Sequence, residues 1–346
     1  IINSLGVGGA EVLLRDTVRN LPEFDHVVCY LHGPETLVPE FKDIPLYCLN
    51  HGGWKHSLRT VWKLRSLIRK HRADIVHAHL FVASLLARLA LPGNRPFFFT
   101  LHNIMSKDAF EVNRMSALAE RLTYGRRQHL IAVSQEVLDD YDRWIGVKGP
   151  ASVLYNYVHD NYFEVAYDYQ RDLAGGLRLV AVGNLRRQKN YALLLEAFRL
   201  LRDQPVSLDI YGSGDLQAEL QEQIDRHRLP VRLMGRCANP AEVLPQYDAY
   251  IMASLFEGFG IAPMEAMAAG LPVLLSDLPV FRELAGDLPL YFDPQEPESI
   301  ARAIGQAVRE WPSVREKAKE GRAIVWQKAS RSVYFRNIKK IYQHLP

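Results

Sequence analysis

Apolar residues along this chain follow two alternating patterns. Short runs rich in β-branched and aromatic residues have strand character; between them, apolar positions recur every third or fourth residue, the period of an amphipathic helix. In the first half, HVVCYL (26–31), PLYCLN (45–50), DIVHAH (74–79), PFFFTL (96–101), HLIAVS (129–134) and SVLYN (152–156) read as strands. Helical periodicity covers 10–20, 57–71, 80–91, 108–127 and 135–145. From GGLRLVAVGN (175–184) the pattern begins afresh. Strands are expected there at 177–183, 206–211, 231–234, 248–253, 272–276 and 290–292. The expected helices are 190–203, 214–228, 240–246, 263–269, 279–285 and 296–310, with a last one over 326–345.

Such alternation predicts parallel sheets covered by helices on both faces, so two doubly wound α/β domains follow one another. Ligands belong at the carboxyl ends of their strands, in the crevice between the domains. Residues 160–176 carry neither period and form the best linker candidate, whose aromatic residues are expected to pack rather than stack on bases. The opening IINSLG reads as the end of a first strand whose beginning is absent.

Composition narrows the class. At 346 residues about two domains are expected, and 48% hydrophobic with 23% charged residues describes a soluble globular protein. A net charge of +3 gives no argument for nucleic acid. Cys29, Cys48 and Cys237 lack CxxC spacing and read as reduced structural thiols. No apolar run reaches the ~18 residues of a spanning helix, and no signal peptide opens the chain, so a cytoplasmic protein is expected.

The stretch FEGFGIAPMEAMAAGLPV (256–273) carries the candidate chemistry. Gly258 and Gly260 permit a turn that side chains would forbid, Pro263 suits a first helical turn, and Gly270 suits its end. Amides of residues 259–262 then open outward at a helix start, which favours phosphate. Glu257 and Glu265 would repel a bare phosphate, but carboxylates hold hydroxyls well. A nucleotide sugar has a hydroxylated ring on each side of a diphosphate and satisfies both demands. The same spacing also suits a solvated Glu257 and a Glu265 that merely complements the helix dipole. In VGNLRRQKNYALLLEAF (182–198), Arg186, Arg187 and Lys189 follow a strand end, where cations would neutralise a leaving diphosphate. Gly212 in IYGSGDL, and Gly8 with Gly9 in SLGVGGAE, mark further strand-end or helix-start turns, each weak by itself.

In this order, GGAE, TLHN, IAVS, VLYN, VGNLRRQKN, YGSGDL and FEGFGIAPMEAMAAGLPV resemble the retaining nucleotide-sugar glycosyltransferases of family four, with their E-x7-E motif. The resemblance implies the GT-B fold: an acceptor-side domain over 1–165, a nucleotide-sugar domain over 170–329, and a last helix (330–346) packing back on the first domain. It implies that Glu257 holds the transferred sugar and Glu265 the ribose. Phe259, Gly260 and Ile261 would offer amides, and Lys189 would stabilise the leaving diphosphate. Asn184 stands where the family usually has arginine, so Arg187 is the favoured substitute. Gly9 would lie against the diphosphate or acceptor, and His102 would orient the donor sugar. Arg236 and Cys237 would meet the base through their main chain.

Transfer with retention, no metal and no other cofactor are implied, with a glycan or lipid-linked acceptor, no nucleic acid, and bacterial polysaccharide or glycolipid synthesis as the setting. Peripheral attachment to the inner face of the cell membrane is a further expectation. Its candidate is the helix over 108–127, where Arg114, Arg121, Arg126 and Arg127 accompany Phe110, Met115, Leu118 and Leu122. The competing expectation is an ordinary amphipathic helix with that stripe in the core. Rival functions are a nucleotide-sugar 2-epimerase of similar fold and a non-catalytic sugar-nucleotide-binding subunit.

Three other signals are set aside. His77 and His79 lack a third metal ligand and read as a satisfied pair. Ser134 reads as a helix N-cap. DDYD (139–142) reads as a solvated helix face.

Overall fold

The computed structural model describes residues 1–107 and 114–343. The chain divides into two compact units, one comprising Ile1–Asn156 with the chain from Tyr334 onward, the other Tyr157–Val333.

In the first unit the elements run α1 (Gly9–Asn20), β1 (Val28–Tyr30), β2 (Leu46–Cys48), α2 (Ser57–Lys70), β3 (Val76–His79) and α3 (Phe81–Ala90). There follow β4 (Phe97–Leu101), α4 (Arg114–Thr123), β5 (Gln128–Ala132), α5 (Gln135–Trp144) and β6 (Ala151–Val153). Strands β3-β4-β5-β6 form one parallel sheet and β1-β2 a second. The opening residues join them. Ile2 bridges Tyr30 of β1, while the His79 amide of β3 donates to the Ile1 carbonyl at 2.8 Å. The strand character of IINSLG is therefore real, though confined to these two residues. The Phe97-Phe98-Phe99 run is buried throughout, as a strand covered on both faces requires.

The second unit contains α6 (Asn161–Glu164), β7 (Leu177–Val182), α7 (Tyr191–Leu200), β8 (Val206–Tyr211), α8 (Gln217–His227), β9 (Val231–Gly235) and α9 (Pro240–Val243). It continues with β10 (Ala249–Met252), α10 (Ile261–Ala268), β11 (Val273–Ser276), α11 (Pro279–Ala285), β12 (Leu290–Phe292), α12 (Pro297–Arg309) and α13 (Trp311–Ala329). The final α14 (Arg331–Gln343) passes into the first unit at Tyr334. All six strands are parallel, in the order β12-β11-β10-β7-β8-β9. Strand order thus reverses between β7 and β10, which places a ligand crevice beyond the carboxyl ends of those two strands. Leu179, Ala181, Ile210 and Ile251 of the sheet are buried with Leu194, Phe198 and Ile304 of its covering helices. Each such aliphatic or aromatic side chain contributes about 1.5–3 kcal/mol by leaving water.

Several expectations need correcting. The last helical segment is two helices, α13 and α14, separated by an extended Ser330 (ψ 155°) that pairs with Val158. The buried line of α13 runs through Ala318, Gly321 and Ala329, residues too small to register as an apolar stripe. On α4 the stripe faces out: Met115, Leu118 and Leu122 are 72%, 52% and 76% exposed, while Ala117 and Glu120 are buried. The reason is Glu120, which forms a 2.5 Å ion pair with buried Arg88 of α3 and accepts the Tyr141 hydroxyl at 2.7 Å. That polar knot fixes the inward face of the helix. Phe110 lies outside the described residues. In DDYD, Asp140 and Tyr141 are buried rather than solvated, and Asp140 accepts the Ser106 amide at 2.9 Å. Ser134 caps α5 as expected, its hydroxyl accepting from the Val137 amide.

The linker candidate is packed onto the second unit. The Tyr167 hydroxyl donates to the Asp248 carbonyl at 2.6 Å, and Arg171 reaches both the Tyr247 carbonyl and the Asp248 carboxylate.

Candidate active site

Two loops leave the switch point of the second unit, one after β7 and one after β10, and they are fastened together. The Gln188 side-chain amide donates to the Phe256 carbonyl at 2.8 Å, and the Leu255 amide donates to the Gln188 carbonyl at 2.9 Å. This clamp brings Lys189 against Glu257, with Nζ 2.7 Å from Oε1. Ser254 is fully buried and donates its hydroxyl to the same oxygen at 2.7 Å. Glu257 is only 7% exposed, so the ammonium and the hydroxyl compensate a carboxylate removed from most of its water. Tyr191, at the start of α7, shares this enclosure: burial first, then Glu257, pushes its phenol up from the ordinary value.

Close backbone approach shapes the surrounding walls. A Cβ on Gly212, after β8, would lie 1.9 Å from the Gly183 carbonyl oxygen, so these strand-end turns interlock only with glycine there. Arg236, after β9, donates Nε to the Ser213 hydroxyl at 2.8 Å. Asn184, Arg186 and Arg187 are exposed, and neither guanidinium has an ion-pair partner among the described residues.

Beyond Glu257 the chain turns sharply into α10. Gly260 caps the helix at φ 76°, and a Cβ there would stand 2.4 Å from the Phe281 ring. Two separate constraints therefore demand glycine. The Phe259 side chain is buried, leaving main-chain groups of Phe259, Gly260 and Ile261 at the helix start as the polar surface. One turn on, burial pushes the Glu265 carboxyl up to about 7, although Tyr162 hydrogen-bonds to it and His159 lies near, both pulling the value down. Cys237 is half-buried and close enough to Tyr162 to raise that phenol further, after burial and Glu265. Tyr162 belongs to α6 in the supposed linker, so the sequence concealed its part in this site.

The first unit holds the remaining candidates. His102 follows β4, and its Nε2 meets His79 Nδ1 at 3.2 Å, with the rings stacked. One of the two must donate and the other accept, so this pair is neutral. Burial draws His102 down to about 4 and holds His79 well below its ordinary value. Among the described residues, His102 Nδ1 is left without a partner. His77 is satisfied on both nitrogens, by the Tyr342 hydroxyl at 2.6 Å and the Thr100 hydroxyl at 2.7 Å. Gly8 is the N-cap residue of α1 and Gly9 its first residue. Glu11 already places a carboxylate in that first turn, accepting the Ser4 hydroxyl at 3.2 Å, which weakens the appeal of this helix start to an anion. No group of three or more His, Cys, Asp or Glu among the described residues is arranged to hold a metal ion.

Two family matches divide the chain as the two sheets do. Residues 7–162 match "Glycosyltransferase Family 4" and residues 174–323 match "Glycosyl transferases group 1". The chain belongs to the family 4 glycosyltransferases. Among its relatives in this family, the O-antigen chain mannosyltransferase RfbU of Salmonella typhimurium is 27% identical over 61% of the chain. The O-antigen biosynthesis glycosyltransferase WclY of Escherichia coli is 24% identical over 47%. The chain spans 57% and 48% of the lengths of these two curated relatives. Solved structures extend the likeness of fold to the whole chain. Anabaena Alr3699/HepE in complex with UDP superposes with a TM-score of 0.85 at 20% identity, covering 99% of this chain and 98% of that one. Sucrose-phosphate synthase from Thermosynechococcus elongatus gives 0.82 at 18% identity, covering 99% and 95%. This family 4 member therefore has the GT-B fold, and its described residues include no helix long and apolar enough to cross a membrane.

Proposed function

We propose that this protein transfers a sugar from a nucleoside diphosphate sugar to an acceptor hydroxyl, with retention of anomeric configuration and without a metal. The observation that carries the reading is the 2.7 Å pairing of Lys189 with Glu257 beyond the strand ends at the topological switch point. A carboxylate for sugar hydroxyls and a cation for the diphosphate are there held side by side. Glu257, oriented by Ser254, binds the transferred sugar. Lys189 and Arg187 bind the diphosphate, Arg187 supplying the charge that Asn184 lacks. Main-chain groups of Phe259, Gly260 and Ile261 flank the same phosphates, while the interlocked turn at Gly212 supports this wall. Glu265 accepts the ribose hydroxyls. The main chain of Arg236 and Cys237 meets the base.

In the transfer, the bond from the anomeric carbon to the diphosphate oxygen breaks and its electron pair leaves with the phosphate. The acceptor oxygen bonds to that carbon on the same face, and its proton passes to the departing phosphate oxygen. Lys189 stabilises the charge developing on the leaving group, the type of contribution that preorganised electrostatics supply. His102, neutral at physiological pH, orients the sugar through Nδ1. Gly8 and Gly9 serve the acceptor side, since Glu11 disfavours a second anion there. The O-antigen roles of RfbU and WclY support surface polysaccharide synthesis as the setting.

Thermal-shift measurements against UDP-, GDP- and ADP-sugars test donor binding, because a bound donor stabilises the folded protein by mass action. The responding donor is then incubated with acceptor, and the product's anomeric configuration is read by NMR. Inversion would reject the mechanism, and loss of turnover in EDTA would reject metal independence. Conversion of the donor sugar without acceptor would favour an epimerase.

A further inference from the structure

The most unusual surface of the first unit is on α2 and the 3-10 turn before it, away from every residue assigned above. Trp54, Leu58 and Trp62 are 60%, 79% and 72% exposed. Spaced four residues apart, they form one line along the helix. The opposite side of α2 is already committed, since Thr60, Leu64 and Ile68 are buried. The exposed line is thus a second apolar face rather than a misplaced core stripe. Among the described residues neither indole stacks on another aromatic ring.

Charge identifies what this face meets. No Asp or Glu occurs between Asp43 and Asp74, and Lys55, Arg59, Lys63, Arg69 and Lys70 are all exposed along this segment. Lys63 and Lys70 lean on β2, donating to the Cys48 carbonyl and the Tyr47 hydroxyl. Lys55, Arg59 and Arg69 have no carboxylate partner among the described residues. Nor is the surface isolated: α3 packs against both α2 and α4, and the exposed line of α4, Met115, Leu118 and Leu122, flanks it in the same helical layer.

We propose that α2 docks the protein on an anionic lipid bilayer, with Trp54, Leu58 and Trp62 inserted at the headgroup boundary and the neighbouring cations against lipid phosphates. Indoles suit that boundary because they join a large apolar ring to one polar N–H. A basic helix with aromatic and aliphatic residues along one line lies in the plane of the interface, its apolar side sunk about 5–10 Å. The acidic headgroups add about fivefold in partitioning for each nearby Lys or Arg. A protein partner would need acidic groups spread around an apolar groove, whereas a bilayer offers both over any area. The inference goes beyond the donor reading and does not depend on it.

The test is sedimentation of the full chain with vesicles of phosphatidylglycerol and phosphatidylcholine at low salt, compared with phosphatidylcholine alone. Binding to the anionic vesicles should be at least ~tenfold stronger and fall as salt is raised, with tryptophan emission moving to the blue. The triple variant Trp54→Ser, Leu58→Ser, Trp62→Ser should lose ~tenfold or more in partitioning. Its melting temperature and donor-induced thermal shift should match wild type. Arg59→Gln with Lys55→Gln should weaken only the anionic binding, again ~fivefold per charge. Equal binding to both vesicle types, no binding at low salt, or an unaffected triple variant would overturn the proposal. So would self-association of the wild-type chain that the triple variant abolishes, since the face would then be a protein interface. Failure of every sugar nucleotide to shift the melting temperature would sink the donor reading and leave the vesicle result standing.

Discussion

The loops of the second unit and the helices of the first treat polar and apolar groups in opposite ways. Around Lys189 and Glu257, charged groups are enclosed and satisfied, held by Ser254 and the Gln188 clamp. On α2 and α4, tryptophan, leucine and methionine are left in solvent while an ion pair, Arg88 with Glu120, is buried beneath. A buried charge with fixed partners marks a place prepared for another charge. An exposed apolar line marks a place prepared for a surface. The chain therefore divides recognition of small ligands from contact with something extended.

The contrast breaks most readily at Lys189. Lys189→Ala should lower kcat by ~10²–10³ in a steady-state assay, the scale seen when one preorganised donor to developing charge is removed. It also strands Glu257 with Ser254 as its remaining partner, so denaturant unfolding should show a loss as well. Wild-type turnover in this variant would end the role assigned to it. Next comes Gly260→Ala, where left-handed backbone costs about 1–3 kcal/mol before the collision with Phe281 is added. Its urea midpoint should fall, and replacing Phe281 with leucine should recover only the part due to the ring.

A smaller effect is expected at His102. His102→Ala should reduce kcat/KM about tenfold, one lost hydrogen bond, with little change in melting temperature. Because burial holds this imidazole at about 4, the wild-type rate should show no inflection from it between pH 6 and 8. A pH inflection abolished by His102→Ala would contradict its neutral role.

Smallest, and most informative about tuning, is Glu265→Gln. The wild-type carboxyl is raised to about 7 from an unfolded value near 4.5, so the neutral form is favoured by folding. Its contribution to stability is fully present below the lower value and is lost as pH rises through about 7. The melting temperature of Glu265→Gln relative to wild type should therefore climb between pH 5 and 8. Donor affinity, measured by calorimetry, should move the other way: wild type gains on ionisation because a carboxylate accepts from both ribose hydroxyls, and the glutamine variant stays flat.

Much of this was legible because the signals were local. Runs such as PFFFTL and VLLS are short, apolar and β-favouring, and they became buried parallel strands within a residue or two of the expected limits. FEGFGIAPMEAM announced its turn through Gly260 and its helix through Pro263. What stayed hidden depended on partners distant in sequence. Nothing in α4 reveals that Glu120 will find Arg88 and turn the leucines outward. Nor does the α5 sequence show that Asp140 will accept the Ser106 amide. The α13 helix escaped notice because its contact line is built from alanine and glycine, which pack closely without raising hydrophobicity. Ser254 and Tyr162 carry ordinary side chains whose importance lies in the oxygen atoms they reach.

Tyr162 also bears on how this protein can be dissected. The second family match begins at residue 174, an inviting place to cut a stand-alone nucleotide-binding fragment. A fragment trimmed there would discard both the phenol that hydrogen-bonds Glu265 and the imidazole of His159 beside it. Its ribose-side carboxyl would then titrate differently from that of the intact protein. Chimeras that exchange the two halves should accordingly keep everything from Tyr157 with the later half.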